Sequence, residues 1–120
     1  MSAQEFEAHV RERDGSSVID LRGQIDGFAE EPLERAYAQA AANAPLTILL
    51  NFRAVDYINS TGIALIVGLL ARARKDGRIV RAYGLSDHYR EIFQITRLVD
   101  FMGIFSDEES AVSDAATAAT

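Results

Sequence analysis

The chain has 120 residues, 48% of them hydrophobic and 25% charged, which is the balance of a folded domain in water. It contains no cysteine, which excludes disulfides, thiolate metal sites and a cysteine nucleophile. A net charge of −6 disfavours binding to nucleic acid, and no apolar run approaches the ~20 residues of a membrane span. We therefore predict a cytoplasmic protein that binds neither nucleic acid nor a membrane.

The first third of the chain predicts a β-hairpin followed by a helix. Two β-prone runs, residues 5–11 and 17–25, flank Asp14-Gly15, a dipeptide typical of hairpin turns. In the second run the odd-numbered residues from 19 to 25 share one face, which indicates a strand with one buried side. After Asp26-Gly27 the spacing predicts a helix over about 28–43, with Pro32 in its first turn.

The rest of the chain predicts strands and helices in alternation. The apolar run 46–52 is typical of a strand covered on both faces, and residues 53–59 are predicted as a loop. A helix over 60–75, a strand over 78–83 and a short helix over 86–94 follow. A capping-box spacing at Ser106 predicts the start of a last helix, whose tail, 111–120, has a composition prone to fraying.

The order ββαβαβαα predicts an α/β fold, a single domain over residues 1–120. Strands joined through helices require right-handed parallel crossovers, and the leading hairpin makes the sheet mixed. We expect the helices to pack mainly on one face of this sheet.

Motifs for catalysis and metal binding are missing from the sequence. His9 and His88 form no metal-ligand pair and are expected at the surface, and there is no glycine-rich nucleotide loop or nucleophile elbow. We therefore predict neither an enzyme nor a metal site nor a cofactor. Residues 71–90 carry six basic and two acidic side chains, which suits a protein partner or an anion, or simply a solvated helix end and strand edge.

One segment, residues 56–63, has the chemistry of a regulatory site. It follows the buried strand and opens the most apolar helix, and ligands and partners gather beyond the carboxyl ends of parallel strands. A helix start attracts anions, so the hydroxyls of Ser60 and Thr61 beside Gly62 suit a switch by phosphorylation. The alternative is that Asn59 or Ser60 only caps the helix, while Gly62 only permits close packing.

Three short motifs in order resemble the STAS domain family, specifically bacterial anti-sigma factor antagonists. Residues 58–63 (Ile-Asn-Ser-Thr-Gly-Ile) are similar to the signature apolar-Asp-Ser-(Ser/Thr)-Gly-apolar. Residues 21–26 (Leu-Arg-Gly-Gln-Ile-Asp) resemble Leu-x-Gly-x-(Leu/Ile)-Asp, and Leu85-Ser86, Ile92-Phe93, Leu98 and Phe105 follow the C-terminal pattern. Arg97 stands where many relatives have glycine, which we interpret as a minor surface change.

The resemblance implies a STAS-like domain that works as a switch between partners. Ser60 would be the phosphoacceptor, with Thr61 as the alternative and Asn59 and Gly62 as its surroundings. Asn59 departs from the family's usual aspartate. The implied partners are an anti-sigma factor that is also a serine kinase, and a PP2C-type serine phosphatase that resets the switch.

The expected docking surface joins two loops at one sheet edge. Asp26 is expected as a polar anchor beside Gly27, and Phe28 is either a contact or a core residue. In the other loop Tyr57, Ile58 and Ile63 are expected as exposed apolar contacts. Open alternatives are a non-phosphorylated scaffold or regulatory subunit in stress-signalling or transporter assemblies, a small-ligand or nucleotide binding module, and, for the oligomeric state, a homodimer.

Overall fold

The computed structural model describes residues 5–118, which form a five-stranded mixed sheet with four α-helices. The strands lie side by side in chain order: β1 (Glu7–Arg13), β2 (Ser16–Ile25), β3 (Thr47–Ile58), β4 (Ile79–Tyr83) and β5 (Gly103–Phe105). The pair β1–β2 is antiparallel and the other three pairs are parallel. The helices are α1 (Glu30–Ala41), α2 (Ser60–Lys75), α3 (Asp87–Ile95) and α4 (Glu108–Ala118), with 3₁₀ turns at Gly27–Ala29 and Leu98–Asp100.

The leading hairpin confirms the prediction from Asp14-Gly15. Both residues have positive φ, 52° and 84°, the backbone that a tight hairpin turn matched to the strand twist requires. The pair Arg13↔Ser16 is the one next to the turn, and β1 forms one edge of the sheet.

The two faces of the sheet carry two separate apolar clusters. Alternate residues of β2 and β3, such as Ile19 and Leu50, enter the main core beneath α1, α2 and α3. Their neighbours Val18 and Leu49 point to the other face, where they pack with Tyr83 and with Ala111 and Val112 of α4. The helices therefore lie mainly on one face, as predicted, and α4 covers part of the second.

The N-terminus of α4 is held to the sheet by a partly buried carboxylate. Glu108 accepts hydrogen bonds from Arg11 at 2.6 Å, from Arg13 at 2.7 Å and from the Tyr83 hydroxyl at 2.5 Å. The hydrogen bond from Arg11 is the main reason that the pKa of Glu108 falls far below its ordinary value, with Arg13 and Tyr83 adding to it. Burial, together with the hydrogen bond that the Tyr83 hydroxyl donates to Glu108, raises the pKa of Tyr83 well above the ordinary tyrosine value.

The loop predicted over residues 53–59 is wrong, because β3 continues to Ile58. Its second half pairs in parallel with residues 22–25 of β2, across register shifts on either side of Arg22–Gly23. Gly23 has a φ of 91° there, a conformation that glycine adopts at little cost. Residues 53–58 show no alternation of buried and exposed positions. Backbone pairing needs none, so the sequence of this stretch gives no strand signal.

Two further details differ at the C-terminal end. Strand β5 has three residues, too few to show a pattern, and it pairs with β4 from Arg81↔Gly103. The last helix is capped by Asp107 and not by Ser106, because the Asp107 carboxylate accepts the Ser110 N–H at 2.9 Å. Of the tail predicted to fray, residues 111–118 belong to α4 and residues 119–120 lie outside the described part of the chain.

Candidate functional site

The end of β2 and the start of α2 meet at the carboxyl edge of the sheet. Ile25 pairs with Ile58 in the last step of the β2–β3 ladder, and the Ile25 carbonyl accepts the Asn59 N–H at 3.2 Å. Beyond the ladder, the Thr61 methyl carbon Cγ2 lies 3.7 Å from the position that a Cβ would take on Gly27. The predicted meeting of the two loops is confirmed, and they form one continuous surface.

Asn59 caps α2. It has extended backbone (φ −92°, ψ −177°), and its Oδ1 accepts the Gly62 N–H at 2.8 Å. Its carbonyl accepts the Ile63 N–H at 2.9 Å, which starts the helical ladder. The side chain that replaces the family's aspartate thus satisfies the helix end, and the Ser60 hydroxyl is not needed for that purpose.

Gly62 is the point of closest approach between α2 and β2. A Cβ built on this residue would lie 2.0 Å from the Ile25 carbonyl oxygen, a distance at which the backbone itself must move. The packing role considered for Gly62 therefore applies, and the same contact fixes where the N-terminus of α2 sits on the sheet edge.

The two candidate hydroxyl residues stand on the surface. Ser60 is the first residue of α2, and both Ser60 and Thr61 are exposed. The N–H groups of a first helical turn have no partner within the helix and favour a negative group. The first turn of α2 carries no acidic residue, so a phosphoryl group on Ser60 would meet the positive end of the helix without a like charge from that turn.

The three expected apolar contacts have different fates. Tyr57 is 50% exposed, which confirms the expected exposure. Ile58 is only 5% exposed, so its predicted exposure is wrong: it is the last residue of β3 and its side chain enters the main core. Ile63 is half-buried and packs partly against the same core.

Tyr89 supports the site, and sequence reasoning missed it. Its hydroxyl accepts the Ile58 N–H at 2.9 Å, so α3 holds the last residue of β3 next to the helix cap. Ser86 caps α3, because its Oγ accepts the Tyr89 N–H at 3.3 Å. No local pattern connects two residues 31 positions apart, and a buried tyrosine on a helix is by itself ordinary.

The turn after β2 is organised by Asp26. Its Oδ1 accepts the Phe28 N–H at 3.0 Å, and its carbonyl accepts the Ala29 N–H at 3.0 Å. Gly27 is exposed, and Phe28 is 92% exposed, which decides between the two predicted fates of Phe28 in favour of the surface.

The basic run is largely taken up by contacts within the fold. The guanidinium groups of Arg72 and Arg74 lie over the rings of Tyr37 at 4.7 Å and Phe101 at 5.7 Å. Arg78 donates to the Ala41 carbonyl at 3.2 Å. These contacts favour the solvated helix end and strand edge over an anion site.

Other chemistry finds little support among residues 5–118. His9 and His88 are exposed as expected, and within that range no cluster of three metal-ligating side chains occurs. Nor does that part of the chain contain a helix long and apolar enough to cross a membrane.

Comparison with known proteins agrees with the geometry. Residues 7–111 match the STAS domain family model. The anti-sigma-B factor antagonist of Bacillus subtilis is 29% identical over 104 residues, which cover 86% of this chain and 94% of the relative. A crystal structure of an anti-sigma factor antagonist from Mycobacterium paratuberculosis superposes with a TM-score of 0.79 at 20% identity, covering 92% of this chain and 93% of that one. The structure of the Bacillus cell fate determinant SpoIIAA in its phosphorylated form superposes with a TM-score of 0.68 at 23% identity, covering 92% of this chain and 99% of that one.

Proposed function

Because the chain belongs to the STAS domain family, we propose that it is an anti-sigma factor antagonist switched by phosphorylation of Ser60. In the unmodified state it binds an anti-sigma factor that is also a serine kinase, and so releases the sigma factor. The observation that carries this proposal is the exposed Ser60 hydroxyl at the N-terminus of α2, on a helix that Asn59 already caps.

The docking face consists of residues 26–28 and 57–63, without the buried Ile58 and Gly62. Asp26, Gly27, Tyr57 and Ile63 are its proposed contacts, grouped around Ser60. Support comes from the proximity of Gly27 to Thr61 and from the half-exposed Tyr57 ring. Tyrosine is among the residues enriched at the centres of protein interfaces.

The covalent step needs only a hydroxyl from this chain. The Ser60 Oγ attacks the γ-phosphorus of ATP, the bond from that phosphorus to the ADP oxygen breaks, and the hydroxyl proton passes to a base on the kinase. A PP2C-type serine phosphatase would reverse the state by hydrolysis of the phosphoserine. Neither step requires a catalytic group in the antagonist.

Phosphorylation would oppose docking through charge at a fixed position. It adds about −1.5 to −2 charges and three acceptor oxygens. The positive end of α2 stabilises that charge in the free protein, whereas a packed interface removes water from the phosphoryl group and so destabilises it. A penalty of roughly 3 kcal/mol corresponds to a loss of affinity of about 10²-fold, since ~1.4 kcal/mol is tenfold. The switch therefore needs no change of fold.

The asparagine at position 59 is compatible with this role. Its Oδ1 makes the capping bond that a carboxylate oxygen would make, so the cap of α2 does not depend on the missing charge. We expect Asn59→Asp to add charge beside Ser60 and to leave the start of α2 where it is.

The test is phosphorylation of the full chain by a cognate anti-sigma kinase with ATP, followed by intact mass and phosphopeptide mapping. We expect one phosphoryl group on the wild type and on Thr61→Ala, and none on Ser60→Ala. A phosphoryl group mapped to Thr61 would contradict the assignment. Phosphorylation of Asn59→Asp alone would instead identify a constitutive binder, the scaffold alternative.

A further inference from the structure

Phe28 is a large apolar side chain that the fold leaves in water. At 92% it is the most exposed large hydrophobic residue among residues 5–118. An aromatic ring in this position contributes almost nothing to the core, and burial of such a ring is one of the largest apolar gains available to an interface. Its presence on the surface therefore calls for an explanation outside the monomer.

The ring is presented on a fixed backbone. Asp26 accepts the Phe28 N–H, and the flanking Ile25 and Ala29 are both fully buried. Phe28 thus lies in a 3₁₀ turn, anchored on both sides, that leads directly into α1. Most of the entropy that a binding loop loses on docking has already been lost here, which favours tight binding.

The ring also stands beside the phosphorylation motif. A Cβ built on its neighbour Gly27 would lie 3.7 Å from the Thr61 methyl carbon. A protein that covers Ser60 and Thr61 at the start of α2 must therefore lie against this turn as well.

We propose that Phe28 is the apolar anchor of the docking face and inserts into an apolar pocket of the anti-sigma factor. This inference rests on the proposed function and adds the chemistry of the partner: because the ring projects, the partner surface must be concave and apolar at that point. Aromatic anchors that fill such pockets dominate the energetics of many interfaces.

A lipid surface fits the observations less well. Asp26, Glu30 and Glu31 surround the ring in the chain, and an anionic membrane would repel these carboxylates. A second copy of this chain is the remaining occupant, and sedimentation distinguishes it.

The experiment measures the affinity of the full chain for the anti-sigma factor by titration calorimetry. We expect Phe28→Ala to weaken binding by about 30-fold or more, the range of an interface hot spot, and Phe28→Leu to weaken it less. The matched control is Phe101→Ala, whose ring is 55% exposed and lies against Arg74, about 20 Å along α2 from Ser60. This control should change affinity less than threefold.

The thermal midpoint of Phe28→Ala should equal that of the wild type, which separates a binding role from a folding role. If the wild type binds and Phe28→Ala binds equally well, the anchor is wrong and the proposed function stands. If the wild type itself does not bind the anti-sigma factor, the proposed function fails and the anchor fails with it. A dimer of the free wild type that Phe28→Ala dissociates would assign the ring to a second copy and overturn the partner proposed here.

Discussion

Two glycines of α2 show how one residue type serves opposite purposes within a helix. Gly62 is buried against the Ile25 carbonyl, where a Cβ would be 2.0 Å from the oxygen. Gly68, two turns later, is exposed and has nothing within 4 Å of an added Cβ. The first glycine is required by backbone contact, whereas the second only weakens the helix.

Alanine at these two positions should therefore have opposite effects on the free energy of unfolding. Gly62→Ala should destabilise by about 2 kcal/mol or more, because a backbone carbonyl cannot yield as a side chain can. Gly68→Ala should stabilise by about 0.5–1 kcal/mol through helix propensity. Urea unfolding followed by circular dichroism measures both. Equal effects of the two substitutions would show that α2 does not lie on the sheet edge as described.

Sequence reasoning succeeded at the residue scale where chemistry is local. Three features were predictable because each depends only on a helix start and its neighbours: the place of Ser60 at the start of α2, the cap at Asn59 and the close packing at Gly62. The exposure of Ile58 was predicted wrongly and the contact of Tyr89 was missed. Both depend on α3 and the core, which meet this segment only in the folded chain.

Among the elements, the turn that follows α3 contains backbone strain at Arg97. Arg97 has a φ of 66°, in the left-handed region that disfavours residues with a Cβ. Its ion pair with Asp100, at 2.8 Å, is exposed and offsets little of that cost. The glycine common among relatives has a backbone reason here, and the interpretation of a minor surface change is wrong.

Arg97→Gly should raise the free energy of unfolding by about 1 kcal/mol. Arg97→Ala is the matched control, because it removes the same guanidinium and retains the Cβ. Thermal unfolding of the two variants separates the backbone effect from the ion pair. A gain that is equal in both would assign the strain to the side chain.

The attachment of α4 should depend on pH. The pKa of Glu108 is lower in the folded chain than in the unfolded one, chiefly because of Arg11. In acid the unfolded state therefore binds one more proton than the folded state. The contribution of Glu108 to the free energy of unfolding is complete above the ordinary glutamate pKa, and it is lost as the pH falls from there towards the pKa of the folded state. Acid therefore weakens the contact between α4 and the hairpin.

Glu108→Gln should cost about 1.5–3 kcal/mol near neutral pH, the range for hydrogen bonds to a charged group. The stability gap to the wild type should narrow as the pH falls below the ordinary value of 4.5, and it should go on narrowing towards the much lower pKa of the folded state. Glu109→Gln is the control, since Glu109 is 76% exposed and bonds only Arg13 among the described residues, and it should change stability by less than about 0.5 kcal/mol. A gap for Glu108→Gln that stays constant with pH would contradict the role of the charge.

Element prediction failed where length or composition conceals the pairing. The second half of β3 has no regular alternation of buried and exposed residues, yet it pairs with β2. Strand β5 is too short for any periodic pattern. The long amphipathic helices and the hairpin were predictable because their patterns repeat over many residues. The parts that could not be predicted are the ones that tertiary pairing alone creates.

At the scale of the whole molecule, the parallel pairing of β2 with β3 assembles the site. It brings residues 26–28 and 57–63 to one edge, although they are about 30 positions apart in the chain. Both segments are fixed by backbone hydrogen bonds and caps, so the proposed docking face would need no rearrangement when a partner binds. A charge placed on Ser60 then changes the surface and leaves the scaffold unchanged.

The most direct test of this account compares the affinity of two forms of the same chain for the anti-sigma factor. The unmodified protein and the protein phosphorylated at Ser60, with its modification confirmed by mass, are titrated under identical salt and pH. The account predicts that the phosphorylated form binds about 100-fold more weakly or worse, while the circular dichroism spectra of the two forms coincide. Affinities within threefold of each other would contradict it.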